Sequence, residues 1–200
     1  MASPSPDKRS FLISKLLSYL LRHGAIKEKL PIDAQGWVSV SSILQNNRLK
    51  SLRATQQEIE EIVASNDKQR FKLKEEGGKL FICANQGHTL AQVTPDLVLL
   101  TSETMPTNVY HGTYVNKLKM IEDKGLSRMN RNHIHMTSDA AWSVLGIRKN
   151  CSVLIYIDTA KCLEDGYKFW RSTNGVILCE GNENGCIPRQ YFRKIEKVAN

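Results

Sequence analysis

The hydrophobic pattern of this chain changes period near residue 97, and that change restricts the fold more than any other feature of the sequence. Before it, apolar residues recur at helical spacing. Ile13, Leu16, Leu17, Leu20 and Leu21 fall at i, i+3, i+4, i+7 and i+8, which draws one stripe along a helix predicted over residues 11–23. Gly24 is the expected stop. Asp33-Ala34-Gln35-Gly36 reads as a turn, Trp37–Val40 as a short strand, and residues 41–45 as a helix. Thr55-Gln56-Gln57-Glu58 has the spacing of a capping box, so a third helix opens there and continues through Ile59, Ile62 and Val63 to about Asn66. Gly77-Gly78 between Arg70–Leu73 and Lys79–Ile82 signals a β-hairpin. Three helices closed by a hairpin suggest a winged-helix unit.

Beyond residue 97 the apolar runs are short and strand-like: Leu97–Leu100, Val109–His111, His133–Met136, Val153–Ile157 and Val176–Leu178. One helix, around Val115–Asp123, is set among them. Residues 84–96 contain Gly87, Thr94 and Pro95 and read as a linker. The expectation is an α+β chain with a helical first lobe and its linker over 1–96 and a mostly-β second lobe over 97–200. The length of 200 residues is enough for two modest cores.

Several classes are excluded early. No run of eighteen apolar residues exists to span a membrane. Met1–Arg9 lacks the apolar centre of a secretory signal, so an intracellular location, cytoplasmic or nuclear, is expected. The five cysteines, Cys83, Cys151, Cys162, Cys179 and Cys186, are odd in number and contain no C-x-x-C pair, which suits reduced thiols. A net charge of +8 would attract a polyanion, although mild basicity also serves solubility.

Candidate chemistry lies at separate points along the chain. Arg22 lies nearly opposite the apolar stripe of the first helix and His23 at its margin, so packing requires neither. By themselves they could be a solvated arginine and a histidine on the helix dipole. Arg70 stands at the hairpin entrance, as a phosphate contact or an exposed strand end. His111-Gly112-Thr113 follows a strand, where glycine admits a ligand close to the backbone and His and Thr can bond a sugar or amide. In Arg131-Asn132-His133-Ile134-His135 the two histidines would share a strand face, but no carboxylate or cysteine lies at a supporting spacing, so no metal is expected. Arg148, in Gly146-Ile147-Arg148-Lys149, is a phosphate clamp or a basic loop residue. Arg171–Val176 sets small polar groups ahead of a strand, suiting ligand hydroxyls or simply a turn. The P-loop, Rossmann and G-x-S-x-G signatures are absent from the sequence.

In order, these pieces form a longer pattern. Ser14–Gly24, Asp33…Gly36-Trp37-Val38, Asp67–Phe71, Ala84–His88, His111–Thr113, Arg131–His135, Gly146–Arg148 and Ser172–Leu178 together resemble the NAD-dependent RNA (tRNA) 2′-phosphotransferase family. The resemblance covers roughly residues 10–195. It implies a winged-helix lobe followed by an ADP-ribosyltransferase-like lobe, with the active site in the cleft between them. It also implies removal of the internal 2′-phosphate left at a splice junction in RNA, with NAD as co-substrate and no metal. That phosphate displaces nicotinamide from NAD, the neighbouring ribose hydroxyl then attacks the phosphorus, and ADP-ribose 1″,2″-cyclic phosphate leaves the 2′-hydroxyl RNA behind.

The family's basic tetrad falls on Arg22, His23, Arg70 and Arg148. Guanidinium forks would hold the phosphate oxygens and stabilise the phosphorane, and His23 would assist as acid or base. The resemblance assigns His111, Gly112 and Thr113 to the nicotinamide–ribose end of NAD, with His135, Ser172 and Asn174 around the same pocket. Val176 takes a position where many ADP-ribosyltransferases carry glutamate, as suits a nucleophile that is already anionic. The implied partner is RNA with an internal 2′-phosphate, ligated tRNA in particular; a monomer is expected. The sequence departs from the family at Cys83, where arginine is common, at Thr89, where serine is common, and at Met136–Asp139. Two other classes compete: a non-catalytic winged-helix nucleic-acid binder, which leaves His111-Gly112-Thr113 unexplained, and an ADP-ribosyltransferase that stops after the first step.

Overall fold

The computed structural model describes residues 6–66, 68–139 and 151–198, and divides into two compact units, Met1–Pro95 and Asp96–Asn200. The mixture is α+β, and every strand pairing in it is antiparallel.

In the first unit, helix α1 (Pro6–Tyr19) begins five residues before the expected start at residue 11 and runs into a π turn, Leu20–Gly24. Ile13, Leu17, Leu20 and Leu21 of the stripe are fully buried, while Leu16 packs at the edge of the same core. Gly24 does not end the helix by a left-handed turn, because Ala25 beyond it is still right-handed helical. Its lack of a side chain serves packing instead: a Cβ there would sit 2.6 Å from the Tyr19 ring. The turn at residues 33–37 is built by Asp33, whose Oδ1 accepts from the amides of Gln35 and Trp37 at 2.9 and 2.8 Å.

Strand β1 (Val38–Ser39) is followed by α2 (Val40–Leu44), which Ser39 caps through the amide of Ser42. A further short helix that the pattern did not reveal, α3 (Asn47–Ser51), is capped by Asn46. Helix α4 (Gln56–Ser65) has both reciprocal bonds of the Thr55/Glu58 capping box. The hairpin of β2 (Phe71–Glu76) and β3 (Lys79–Ala84) completes a sheet of order β1-β3-β2. The stretch expected as a linker is instead part of this unit. Leu90 and Val93 are buried in its core with Ile13, Val38 and Ile82, because two apolar residues among turn-forming neighbours suffice to seat the segment.

The second unit contains β4 (Leu97–Leu100), β5 (Val109–Thr113), α5 (Val115–Lys124), β6 (Leu126–Ser127), β7 (Ile134–Ser138) and β8 (Val153–Ile157). After these come α6 (Thr159–Glu164), β9 (Phe169–Ser172), β10 (Ile177–Cys179), β11 (Cys186–Ile187) and β12 (Phe192–Lys197). Seven strands form one sheet of order β12-β8-β5-β7-β10-β9-β4, and β11 pairs with β6 apart from it. The strand expected at His133–Met136 lies one to two residues later, and His133 precedes it. Val153, Ile155, Ile157, Phe169 and Ile177 anchor this core. All five cysteines are free thiols; burial pushes Cys162 up to about 12 and Cys179 to about 11.

Candidate active site

Arg22 and His23 lie in the π turn, a wider turn than the α-helix before it and a form that recurs at functional sites. Arg22 is half-buried and His23 exposed. Both are held by the stretch that follows β3. The Thr89 amide donates to the Arg22 carbonyl at 2.9 Å, and the Thr89 hydroxyl donates to the same oxygen at 3.3 Å. With its proton committed there, Thr89 Oγ1 is left to accept from His23 Nδ1, 3.1 Å away. Neutral His23 therefore carries its proton on Nδ1 and its lone pair on Nε2. Gly87, at φ 88°, is required by its backbone, and it lies against Arg22: a Cβ there would be in ordinary contact with the guanidinium, 3.4 Å from Nε.

Arg70 is positioned by its neighbours rather than by a strand ladder. Its amide lies 3.4 Å from Asn66 Oδ1, which also accepts from Lys68 N at 3.1 Å. Its carbonyl accepts from the Asn85 amide at 2.9 Å. One short stretch, Asn85–Thr89, thus touches Arg70 at one end and Arg22 with His23 at the other. Four residue steps span at most about 14 Å. Three residues separated by half the unit's sequence are thereby brought to one neighbourhood. Arg148, the fourth expected member, lies outside the described residues.

In the second unit the predicted ligand-binding residues separate into two groups. His111, Gly112, Thr113 and His135 line one cavity of about 710 Å³. Its wall also carries Lys117, Lys124, Arg128 and Arg131, with no carboxylate among the described lining residues, and Met120 and Met129 add apolar surface. Pairing of β5 with β7 covers Val109–Ser138 and Tyr110–Thr137. One residue further on, His111 Nδ1 donates instead to the His135 carbonyl at 2.8 Å. His135 Nδ1 in turn donates to the His133 carbonyl at 3.0 Å. A carbonyl only accepts, so in both neutral rings the proton is on Nδ1 and Nε2 is the acceptor nitrogen.

Ser172 and Asn174 do not line that cavity. They are 3% and 7% exposed and build the turn before β10: Ser172 Oγ donates to Asn174 Oδ1 at 2.7 Å and accepts from Val176 N at 3.0 Å. His133, before β7, lies edge-on to Trp170 with centroids 5.6 Å apart. Burial lowers its pKa; Glu180, 3.9 Å away, opposes the shift and Arg128 adds to it. Among the described residues there is no cluster of histidine, cysteine and carboxylate that could hold a metal ion.

A model of the RNA 2′-phosphotransferase, Tpt1 / KptA family, matches residues 8–181. The chain belongs to this family. Similar proteins of the family include tRNA 2′-phosphotransferase 1 of Danio rerio, 37% identical over 96% of this chain and 88% of its own length. The protein of the same name in Mus musculus is 40% identical over 96% of this chain and 78% of its own. The tRNA 2′-phosphotransferase of Saccharomyces cerevisiae is 39% identical over 97% and 86%. Membership makes the chain a transferase acting on RNA. No helix among the described residues is long and apolar enough to cross a membrane.

Three residues hold Arg22, His23 and Arg70 in the first unit, Asn66, Asn85 and Thr89, and the sequence pattern assigned none of them that role. Asn85 lies inside the matching motif Ala84–His88, which was the available signal. Thr89 was visible only as a departure, yet its hydroxyl is what fixes the His23 ring.

Proposed function

We propose that this protein removes the internal 2′-phosphate from spliced tRNA by transferring it to NAD, yielding 2′-hydroxyl RNA, nicotinamide and ADP-ribose 1″,2″-cyclic phosphate. In this reading the helices and hairpin of the first unit act as a winged-helix RNA-binding lobe, and the second unit is an ADP-ribosyltransferase-like lobe that binds NAD. The observation that carries it is the tying of Arg22, His23 and Arg70 to the single stretch Asn85–Thr89. A dianionic phosphate needs such a set, because guanidinium forks neutralise it and hold its oxygens in a fixed orientation. Arg148 is the fourth member of the set.

The cavity of the second unit fits NAD. Its 710 Å³ lies within the usual range for ligand pockets, roughly 300–1,000 Å³. Four cationic side chains, with no carboxylate among the described lining residues, suit a pyrophosphate. The Nδ1 bonds of His111 and His135 leave Nε2 as the acceptor of each ring, a chemistry that suits donors such as ribose hydroxyls, while Gly112 leaves the backbone approachable. Ser172 and Asn174 support the pocket by shaping the turn into β10. When bound, NAD supplies an anomeric carbon with a cationic leaving group. Arg22 and Arg70 hold the attacking phosphate, and their charge stabilises the later pentacoordinate phosphorus. His23, its Nδ1 proton held by Thr89, exchanges a proton through Nε2 in that second displacement.

The test is to incubate the pure protein with NAD and an RNA bearing one internal 2′-phosphate, then to weigh the products. The expected result is RNA lighter by one phosphate, free nicotinamide and the cyclic phosphate, formed equally well in a chelator. RNA heavier by an ADP-ribose unit as the final product would establish arrest after the first displacement. Unchanged RNA, bound but not converted, would leave only a nucleic-acid-binding protein.

A further inference from the structure

Gln69, immediately before Arg70, has a backbone conformation that glutamine rarely adopts. Its φ is 41°, in the left-handed region, and its side chain is exposed. No packing of that side chain explains the conformation. Its own amide closes a turn onto the Asn66 carbonyl at 2.8 Å, and Asn85 holds it from the other side: the side-chain Nδ2 donates to the Gln69 carbonyl at 2.5 Å, while the Asn85 amide donates to the next carbonyl, that of Arg70, at 2.9 Å. One residue thus grips two successive carbonyls on either side of the Arg70 amide. Asn66 Oδ1 approaches that amide from the other direction.

The orientation of the Asn85 amide follows from chemistry. A flipped amide would place Oδ1 against the Gln69 carbonyl, two acceptors in contact. In the bonded orientation Oδ1 is buried without a hydrogen-bond partner among the described residues, although Asn85 is only 4% exposed. Burying an unused acceptor is unfavourable, and so is a left-handed glutamine. The two costs fall on adjacent parts of one contact, and what that contact fixes is the direction in which the chain enters Arg70.

We propose that Asn85 is a positioning residue for Arg70: it locks Gln69 in the left-handed conformation and so aims the Arg70 guanidinium at the RNA 2′-phosphate. This rests on the functional reading above. Asn85 acts through Arg70 and does not touch the phosphate. Glycine at position 69 adopts the same backbone without the lock, whereas a β-branched residue there resists it even with the lock intact.

The experiment measures binding without NAD, by fluorescence anisotropy, of one short RNA with an internal 2′-phosphate and of the same RNA with a 2′-hydroxyl. Wild type is expected to prefer the phosphorylated RNA and Arg70→Ala to lose that preference. Asn85→Ala should reduce the preference about tenfold, with binding of the hydroxyl RNA little changed. Gln69→Gly placed in the Asn85→Ala protein should restore most of it. Gln69→Val, with Asn85 untouched and no buried side chain removed, should copy the loss; this variant carries the test if Asn85→Ala does not fold. The proposal is overturned if Asn85→Ala or Gln69→Val keeps the wild-type preference while Arg70→Ala loses it. It is equally overturned if both RNAs weaken together, or if Gln69→Gly restores nothing. A wild type that ignores the 2′-phosphate would remove the functional reading itself, and this inference with it.

Discussion

The two units hold their polar residues in different ways. In the first, the arginines are fixed through their backbones: the Arg22 carbonyl by Thr89, and the Arg70 amide and carbonyl by Asn66 and Asn85. In the second, His111 and His135 are fixed through their rings, each Nδ1 bonded to a carbonyl. The difference follows from the groups. A guanidinium is charged in every rotamer and presents several donors, so the fold need only bring its chain to the right place. An imidazole presents one lone pair, and which nitrogen carries it must be settled before it can accept or move a proton. His23 belongs to the first unit but is treated as the second unit treats its histidines, through the Thr89 hydroxyl.

The largest effects should come from removing the backbone-held charges. Arg22→Ala and Arg70→Ala should each lower kcat by about 10²–10³, the scale on which single preorganised donors act. Lysine at either position should recover only part of this, because it keeps the charge without the fork. Single-turnover assays with 2′-phosphorylated RNA check both. If either alanine variant stays within tenfold of wild type, the contrast between the two units loses its functional meaning.

A smaller effect tests whether His23 is ring-held for a reason. Thr89→Val removes the acceptor for Nδ1 while keeping the shape, and should lower kcat about tenfold. Thr89→Ser keeps the hydroxyl and should restore the rate. Equal rates for Val and Ser would mean that Thr89 serves only the Arg22 carbonyl through its amide.

How much of this was legible depended on the range of each interaction. The Thr55/Glu58 capping box is local, with both partners within one helical turn, and the spacing alone revealed it. Arg22 and His23 stood out because the apolar stripe of α1 does not need them, and the family pattern gave them their partners. The bond from Thr89 to His23 joins residues 66 positions apart, and no local pattern encodes that separation. The left-handed Gln69 was hidden for a related reason: the residues that signal such a backbone are glycine and asparagine, and here the conformation is held by the turn onto Asn66 and by Asn85 from outside. Residues 85–95 were misread because turn-forming composition outweighed Leu90 and Val93, whose burial is set by the fold around them. Ser172 and Asn174 have the small polar chemistry of ligand contacts and of turns alike, and in the structure they make the turn.

A control for these comparisons is a residue that supports the fold of the first unit without touching the Asn85–Thr89 stretch. Thr55→Ala breaks the capping box of α4 and should cost about 1 kcal/mol of stability. Denaturant melts would show that loss, while kcat at a temperature well below the transition should stay at the wild-type value. A fall in kcat comparable to that of Thr89→Val would mean that the site responds to global stability rather than to the specific contacts described here.

The smallest expected effect concerns His133, at the edge of the second unit's cavity. Its folded pKa lies below the ordinary value because burial disfavours the imidazolium more than Glu180 restores it, and Arg128 adds to the lowering. The sign follows directly. Above the unfolded pKa of about 6.5 both states are neutral and the group contributes nothing to pH dependence. As pH falls below that value, the unfolded chain takes up a proton that folded His133 resists, so stability declines. His133→Phe keeps an aromatic ring against Trp170 and removes the titration. Between pH 7.5 and 5.5 its melting temperature should fall less than that of wild type. An identical fall in the two proteins would show that His133 protonates as easily folded as unfolded, and that the ring-holding in this unit stops at His111 and His135.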